Sequence, residues 1–261
     1  MYADFPAQQS DCFVDFEVQL GAPQYLRRWF RPQVVLSCDG RVPFKPLPRE
    51  QALPMLEWGL NWVISSHAHD KLVIHGAAVE RDGRALILAA DPGSGKSTLC
   101  AALIQKGWRL LSDELTLVSL EDGLVTPIAR PVSLKNQSIE VVRALGAGVV
   151  LSKVCLDTAK GSVAHLRPPR QSVDALDVRA LPALLVYPRY RAGAVLQSQP
   201  EGQAHSLIEL TRHTFNYAVL AGDGFDALAR LVRSLKVWRV EYGHLDQVLP
   251  ELDRLWHAML E

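Results

Sequence analysis

The residues best equipped for chemistry fall in three short stretches: Ala90-Asp91-Pro92-Gly93-Ser94-Gly95-Lys96-Ser97-Thr98, the pair Asp113-Glu114, and His75 within Leu72-Val73-Ile74-His75-Gly76. The first reads as a phosphate-binding (Walker A) loop. It follows the apolar run Leu86-Ile87-Leu88-Ala89 and opens a helical pattern, the strand–loop–helix context that such a loop requires. Gly93 and Gly95 let successive N–H groups turn inward as an anion nest, and the helix that follows points its positive end at the same place. In that chemistry Lys96 reaches the β- and γ-phosphates as a point charge and the Ser97 hydroxyl ligates Mg²⁺. The pattern G-x-x-x-x-G-K-S/T is met except at its first glycine, which is Ala90. A glycine-rich turn with no ligand would leave the lysine unexplained.

The acidic pair gains meaning from its place in the chain. The helix after the loop buries Leu99, Ala102 and Leu103, with Gly107 just past its end. Trp108 to Ser112 then reads as a strand that stops at Asp113-Glu114. A right-handed crossover returns this strand parallel to the one before the loop and brings its C-terminal end beside the phosphates. Two carboxylates then arrive where a metal-bound triphosphate would sit; the plain alternative is an exposed turn.

The rest of the chain supplies a scaffold. Residues 13–20 alternate apolar and polar, the period of a half-buried strand. Val34 to Cys38 is a second strand, turned by Asp39-Gly40 into a return arm at Arg41 to Phe44. A helix follows with Leu53, Leu56, Leu60 and Ile64 on one face. Its Trp58 and Trp62 suit core positions better than a base-stacking platform. Leu72 to Val79 and Leu86 to Ala89 are joined by Arg81-Asp82-Gly83, so a hairpin stands directly before the phosphate loop. Another hairpin spans Leu115 to Ile128, and a helix is predicted over Ser138 to Leu145. Residues 147–180, with His165-Leu166-Arg167-Pro168-Pro169-Arg170, are poorly periodic and read as a mobile substrate-facing loop or a surface connection. Strands at Leu184 to Tyr187, Ala194 to Leu196 and Val237 to Glu241, and helices near 203–213, 225–235 and 246–260, complete the chain. The expected architecture is one α/β domain with a mixed sheet and an N-terminal accessory β-α layer, divided as residues 1–70 and 71–261.

Composition narrows the partners. The 261 residues are 48% hydrophobic and 21% charged with a formal net charge of +0, a globular balance with no general attraction to nucleic acid or anionic membrane. Cys12, Cys38, Cys100 and Cys155 have no C-x-x-C spacing, which points to reduced thiols rather than a zinc or redox motif. Neither a signal peptide nor a membrane-length apolar run is evident, so a cytoplasmic location is expected.

The His75-Gly76 strand, the phosphate loop and Asp113-Glu114, in that order, resemble HPr kinase/phosphorylase, whose catalytic domain shares its P-loop architecture with phosphoenolpyruvate carboxykinase. The stretches Leu56-Glu57-Trp58-Gly59-Leu60-Asn61-Trp62, Trp108 to Glu114, Ser133-Leu134-Lys135-Asn136 and Tyr242-Gly243 are similar to the HprK-related kinase A group. The resemblance implies an ATP- and Mg²⁺-dependent kinase acting on a hydroxyl, serine of a peptide or small protein. It implies that the loop residues from Asp91 to Thr98 bind the nucleotide, that Ser97 and Glu114 hold the metal, and that Asp113 is the base with His75 near it. The R-G-x-G signature of true HPr kinases is missing. Arg130 to Asn136 occupy the corresponding region, so HPr itself is not the expected acceptor. Arg130, Lys135 and Arg167 are candidates for γ-phosphate or substrate contacts, and a homo-oligomer is possible. A kinase of a small metabolite such as free serine, or a nucleotide-sensing module without transfer, are the competing readings. No N-K-x-D guanine motif and no L-S-G-G-Q signature occur.

Overall fold

The computed structural model describes residues 1–6 and 14–260; Cys12 and Phe13 lie outside them. The N-terminal layer begins with β1 (Val18–Gly21), β2 (Gln33–Cys38) and β3 (Leu47–Pro48), an antiparallel sheet in that order. Pairing starts only at Val18, so the strand predicted over 13–20 is shorter than its alternation suggests. The Asp39-Gly40 turn forms, with φ of +48° and +74°. Its return arm at 41–44 makes a single bridge, Cys38 to Arg41, and then leaves the sheet. Pro43 and Pro46 cannot donate to a ladder, and the partners of β2 are β1 and β3 instead.

Helix α1 (Ala52–His67) covers this sheet, packing Met55 on Val34 and Leu36. A Cβ at Gly59 would overlap the Leu36 side chain, so the glycine sets the distance of approach. The deeply buried positions are Pro54, Met55, Glu57, Gly59 and Val63, whereas Leu53, Leu56, Leu60 and Ile64 are half-buried. The predicted face is therefore wrong. The helix is clasped from two sides, by β2 and, through Ile64, by the main sheet, which spreads its apolar contacts round the cylinder. The tryptophans are not core either. Trp62 is 38% exposed, edge-on to Phe44, and Trp58 is half-buried.

The chain then enters β4 (Lys71–Arg81), β5 (Arg84–Ala89), α2 (Lys96–Gln105), β6 (Arg109–Ser112), β7 (Leu115–Ser119) and β8 (Val125–Thr126). Next come β9 (Val132–Lys135), α3 (Gln137–Arg143), β10 (Cys155–Thr158), β11 (Gly161–Leu166) and α4 (Arg170–Asp174). The last third holds β12 (Leu181–Tyr190), β13 (Gln197–Pro200), α5 (Gln203–His213), α6 (Tyr217–Ser234), β14 (Lys236–Tyr242) and α7 (Leu245–Leu260). Two expectations fail here. Residues 155–158 and 161–166, predicted to be irregular, pair with each other, and the second of them pairs with β9, as a small antiparallel sheet. The strand predicted at 194–196 begins at Gln197, leaving Val195 75% exposed.

The main sheet is mixed, ordered β13-β14-β12-β5-β4-β7-β8, with β6 also on β4. β5, β12 and β14 run parallel, and β4 is antiparallel to β5. Both faces are covered, so Leu72 to Ile74 and Gly76 to Val79 of β4 and Ala85 to Ala89 of β5 are apolar runs rather than alternating ones. Ala77, Val79, Leu86 and Leu88 face α2, α7 and the small sheet. Ala78, Ala85, Ile87 and Ala89 face α5 and α6.

The pairing of β4 positions the site. On one side Gly76 stands opposite Ala89, where the loop departs. On the other side β6 and β7 follow one another along β4, Ala78 opposite Ser112 and His75 opposite Leu115. β6 thus runs in the same direction as β5, with β4 between them, and both end at one edge. Among the described residues no helix is long and apolar enough to cross a membrane.

Candidate functional site

The loop between β5 and α2 has the backbone its glycines allow. Gly93 and Gly95 have φ of +87° and +93°, the left-handed region that disfavours a Cβ. Space around Gly93 is open. A Cβ on Gly95 would stand 2.5 Å from Tyr242 Oη and 3.1 Å from Tyr190 Cβ. The Tyr190 N–H donates to Ser94 O at 3.0 Å, so the end of β12 holds the loop. Ala90 is not among the positive-φ residues, which explains why alanine serves where the motif has glycine. Gly95 caps α2 without a side-chain hydrogen bond, leaving the first N–H groups of the helix available.

Lys96 is buried, and its ammonium donates to Ala90 O and, at 3.0 Å, to Asp91 O. Burial draws its pKa down, with Asp113 and Glu114 pulling the other way. The Ser97 hydroxyl donates to Asp113 Oδ1 at 3.0 Å, and Asp113 Oδ2 accepts the Ser133 N–H at 2.9 Å. Burial, followed by the charge of Glu114, raises the Asp113 pKa to about 6. Burial also pushes Glu114 upward, but Lys135 outweighs it: Lys135 Nζ stands 2.8 Å from Glu114 Oε1 and keeps that carboxylate below its ordinary range.

Glu114 has φ +72°, and the Leu115 N–H donates to Asp113 O at 3.0 Å. This three-residue turn with a positive central φ is the rare, strained form of the γ turn. It interrupts what would otherwise be one strand along β4 and turns both carboxylates out of the ladder. His75 lies half-buried at the same edge, its ring edge-on to Phe215 at 5.5 Å. Burial, then the Lys96 charge, lowers it to about pKa 4, so it is neutral near pH 7. The carboxylate that acts on its titration is Glu114.

These groups open onto a cavity of about 750 Å³, whose lining also includes Pro92, Thr98, Ser133, Lys135 and Lys160. The structure therefore gathers His75, Lys96, Ser97, Asp113, Glu114 and Lys135 around one space. Asp91 is exposed at the start of the loop and its carbonyl accepts the Ser94 N–H at 3.3 Å. Arg130 and Arg167 are not among the lining residues. Arg130 is paired with Glu57 at 3.3 Å and with Asn61 on α1, and Arg167 is paired with Asp4 at 2.6 Å. Both candidates for substrate contacts are instead engaged in holding the N-terminal layer. Sequence reasoning missed Ser133, Lys160, Tyr190 and Tyr242. Ser133 and Tyr242 had a signal, since both lie in stretches that resemble the kinase group; Lys160 and Tyr190 had none.

The residues present suit a hard cation held jointly with phosphate. Ser97, Asp113 and Glu114 offer oxygen donors, the set preferred by Mg²⁺, which is commonly bound by one or two carboxylates plus substrate oxygens. Among the described residues there is no cluster of three or more His, Cys, Asp or Glu that would hold a metal by itself. The Ser94 and Ser133 hydroxyls are buried without a hydrogen-bond partner among the described residues.

Comparison with known proteins gives likenesses of three kinds. A family model described as SynChlorMet cassette protein ScmC matches residues 47–125, the span from β3 to β8. The tRNA modification GTPase MnmE of Methylobacterium radiotolerans is 30% identical over 195 residues, 66% of this chain and 43% of that protein. The chain thus spans less than half the length of this curated relative. Among solved structures, the Hpr(Ser) kinase/phosphatase from Coxiella burnetii aligns over 72% of this chain and 97% of its own, at 13% identity and a TM-score of 0.32.

Proposed function

We propose that this chain is a P-loop phosphotransferase that uses Mg·ATP to phosphorylate a hydroxyl, serine on a peptide or small protein other than HPr being the acceptor the motifs suggest. Residues 71–261 would be its catalytic domain and 1–70 the accessory segment, in a cytoplasmic protein. The observation that carries the reading is the Ser97–Asp113 hydrogen bond beside the buried Lys96, at the mouth of a left-handed glycine loop. That geometry is what a phosphate nest, a metal-ligating hydroxyl and a carboxylate acting together would require, which supports the reading.

Bound Mg·ATP would supply the transferable phosphoryl group and the divalent charge that offsets it. In this reading the loop amides and Lys96 hold the phosphates, while Ser97 and Glu114 face the metal. Asp113 receives the proton of the acceptor hydroxyl; a carboxylate oxygen has a second lone pair to offer beyond its bond to Ser97. His75, neutral and packed on Phe215, lines the approach. One observation favours a nucleotide-sensing module instead: both Asp113 oxygens are engaged and Glu114 is held by Lys135.

Radiolabelled Mg·ATP and Mg·GTP, offered with peptide and metabolite libraries, separate these readings. Transfer is expected to vanish in Lys96→Ala, and in Asp113→Asn to fall by at least about 100-fold while nucleotide binding persists. Undiminished transfer by Asp113→Asn would move the base to Glu114. Binding without any phosphorylated product, across all acceptors, would favour the sensor. Binding of neither nucleotide would end the proposal.

A further inference from the structure

The cavity contains one cation for which the kinase reading has no task. Lys160 stands at the tip of the β10–β11 hairpin, exposed on the cavity rim. The charges acting on it are Lys135, which repels it, and Glu114, which attracts it. Glu114, however, is already bonded to Lys135, and among the described residues no carboxylate forms an ion pair with Lys160. Lys160 and Lys135 therefore compete for Glu114, while the third ammonium of the cavity, Lys96, donates to loop carbonyls and is offset in part by Asp113 and Glu114. Cations gathered in a partly desolvated cleft repel one another, and a multiply charged anion relieves them.

The hairpin that carries Lys160 is firmly tied. Gln51 Nε2 donates to Asp157 O at 3.3 Å and Cys155 Sγ donates to Glu50 O at 3.0 Å, joining it to the segment before α1. Within the turn, the Thr158 hydroxyl donates to Gly161 O at 2.6 Å and accepts the Lys160 N–H at 3.1 Å. The Ser162 N–H donates to Asn136 Oδ1 at 3.1 Å, which fixes the tip to the end of β9. The Lys160 ammonium lies 5.5 Å from the centroid of the Trp58 ring, a cation–π contact that steadies a long side chain without neutralising it.

We propose that Lys160 is a further phosphate-binding residue, which engages the terminal phosphate of a bound nucleoside triphosphate from the hairpin side of the cavity. The inference rests on the nucleotide reading above. A lysine suits the task, being a compact point charge with three rotatable donors and no acceptor.

Lys160→Met keeps the stem and removes the charge. Calorimetric titration is expected to show Mg·ATP binding about tenfold weaker than wild type, with Mg·ADP changed much less and Lys160→Arg restoring most of the loss. Reductive methylation of the wild-type chain provides a second measurement that needs no variant: saturating Mg·ATP is expected to protect Lys160 from labelling. An Mg·ATP affinity of Lys160→Met within about twofold of wild type, or labelling of Lys160 indifferent to Mg·ATP, overturns the assignment and leaves the nucleotide reading standing. A wild-type chain that binds no Mg·ATP overturns both.

Discussion

The two walls of the cavity are built in different ways. The wall with His75, Lys96, Ser97, Asp113 and Glu114 comes from one continuous run, β4 through the start of β7, in which the strands pair with their near neighbours. The facing wall draws Ser133 and Lys135 from β9, Lys160 from the next hairpin, and Tyr190 and Tyr242 from the ends of β12 and β14. It also leans on the N-terminal layer, through Arg130–Glu57 and Gln51–Asp157. One wall is thus a local unit of the chain, and the other is an assembly of segments far apart in sequence.

The largest effect expected from this contrast lies at Arg130. Its partner Glu57 is 4% exposed, and burial already pushes that carboxyl upward. Arg130→Met would leave a buried acid without its cation and is expected to cost about 3–5 kcal/mol in urea unfolding. A stable Arg130→Met that instead loses nucleotide binding would return this residue to the substrate side and break the comparison.

His165 on β11 offers the next effect. It is 1% exposed, both ring nitrogens lack partners among the described residues, and burial lowers its pKa to about 4. Between the ordinary histidine range and about pH 4, the unfolded chain takes up a proton that the folded chain refuses. Its contribution is therefore intact above that range and is lost as pH falls, by up to about 3 kcal/mol. Replacing it by leucine should flatten the acid side of the stability curve, read as melting temperature against pH. An unchanged slope would mean that this wall is wetter than its burial indicates.

On the local wall, Gly95→Ala combines a positive φ with a Tyr242 contact at 2.5 Å. A loss of about 2 kcal/mol in chemical denaturation is expected, together with weaker Mg·ATP binding. Retained affinity would show that the loop tolerates movement. The smallest effect belongs to Trp62→Ala, below about 1 kcal/mol by the same assay, because the ring is 38% exposed. A larger loss would indicate a covered surface.

The local wall was legible in the sequence for the same reason that it is local. Apolar runs bounded by Asp82-Gly83 and by the glycine loop mark β4, β5 and α2, and short connections fix which strand lies where. The facing wall left little trace. β10 and β11 include Asp157, Lys160-adjacent Gly161 and Ser162, and owe their strand character to pairing, β10 with β11 and β11 with β9, rather than to an alternating pattern. Lys160 belongs to no motif. The error over Trp58 and Trp62 has a related cause: helical spacing identifies a face, but α1 has two covered sides, and period alone does not say which residues fall between them.

The dependence of the phosphate loop on Tyr190 and Tyr242 bears on how such motifs travel. A graft of residues 84–114 into a foreign sheet would transfer the glycines, the lysine and the carboxylates, yet leave behind the Tyr242 side chain that closes on Gly95 and the Tyr190 N–H that holds Ser94. The transplant would need a backbone donor and an aromatic side chain at the ends of its new neighbours before the borrowed loop could hold its shape.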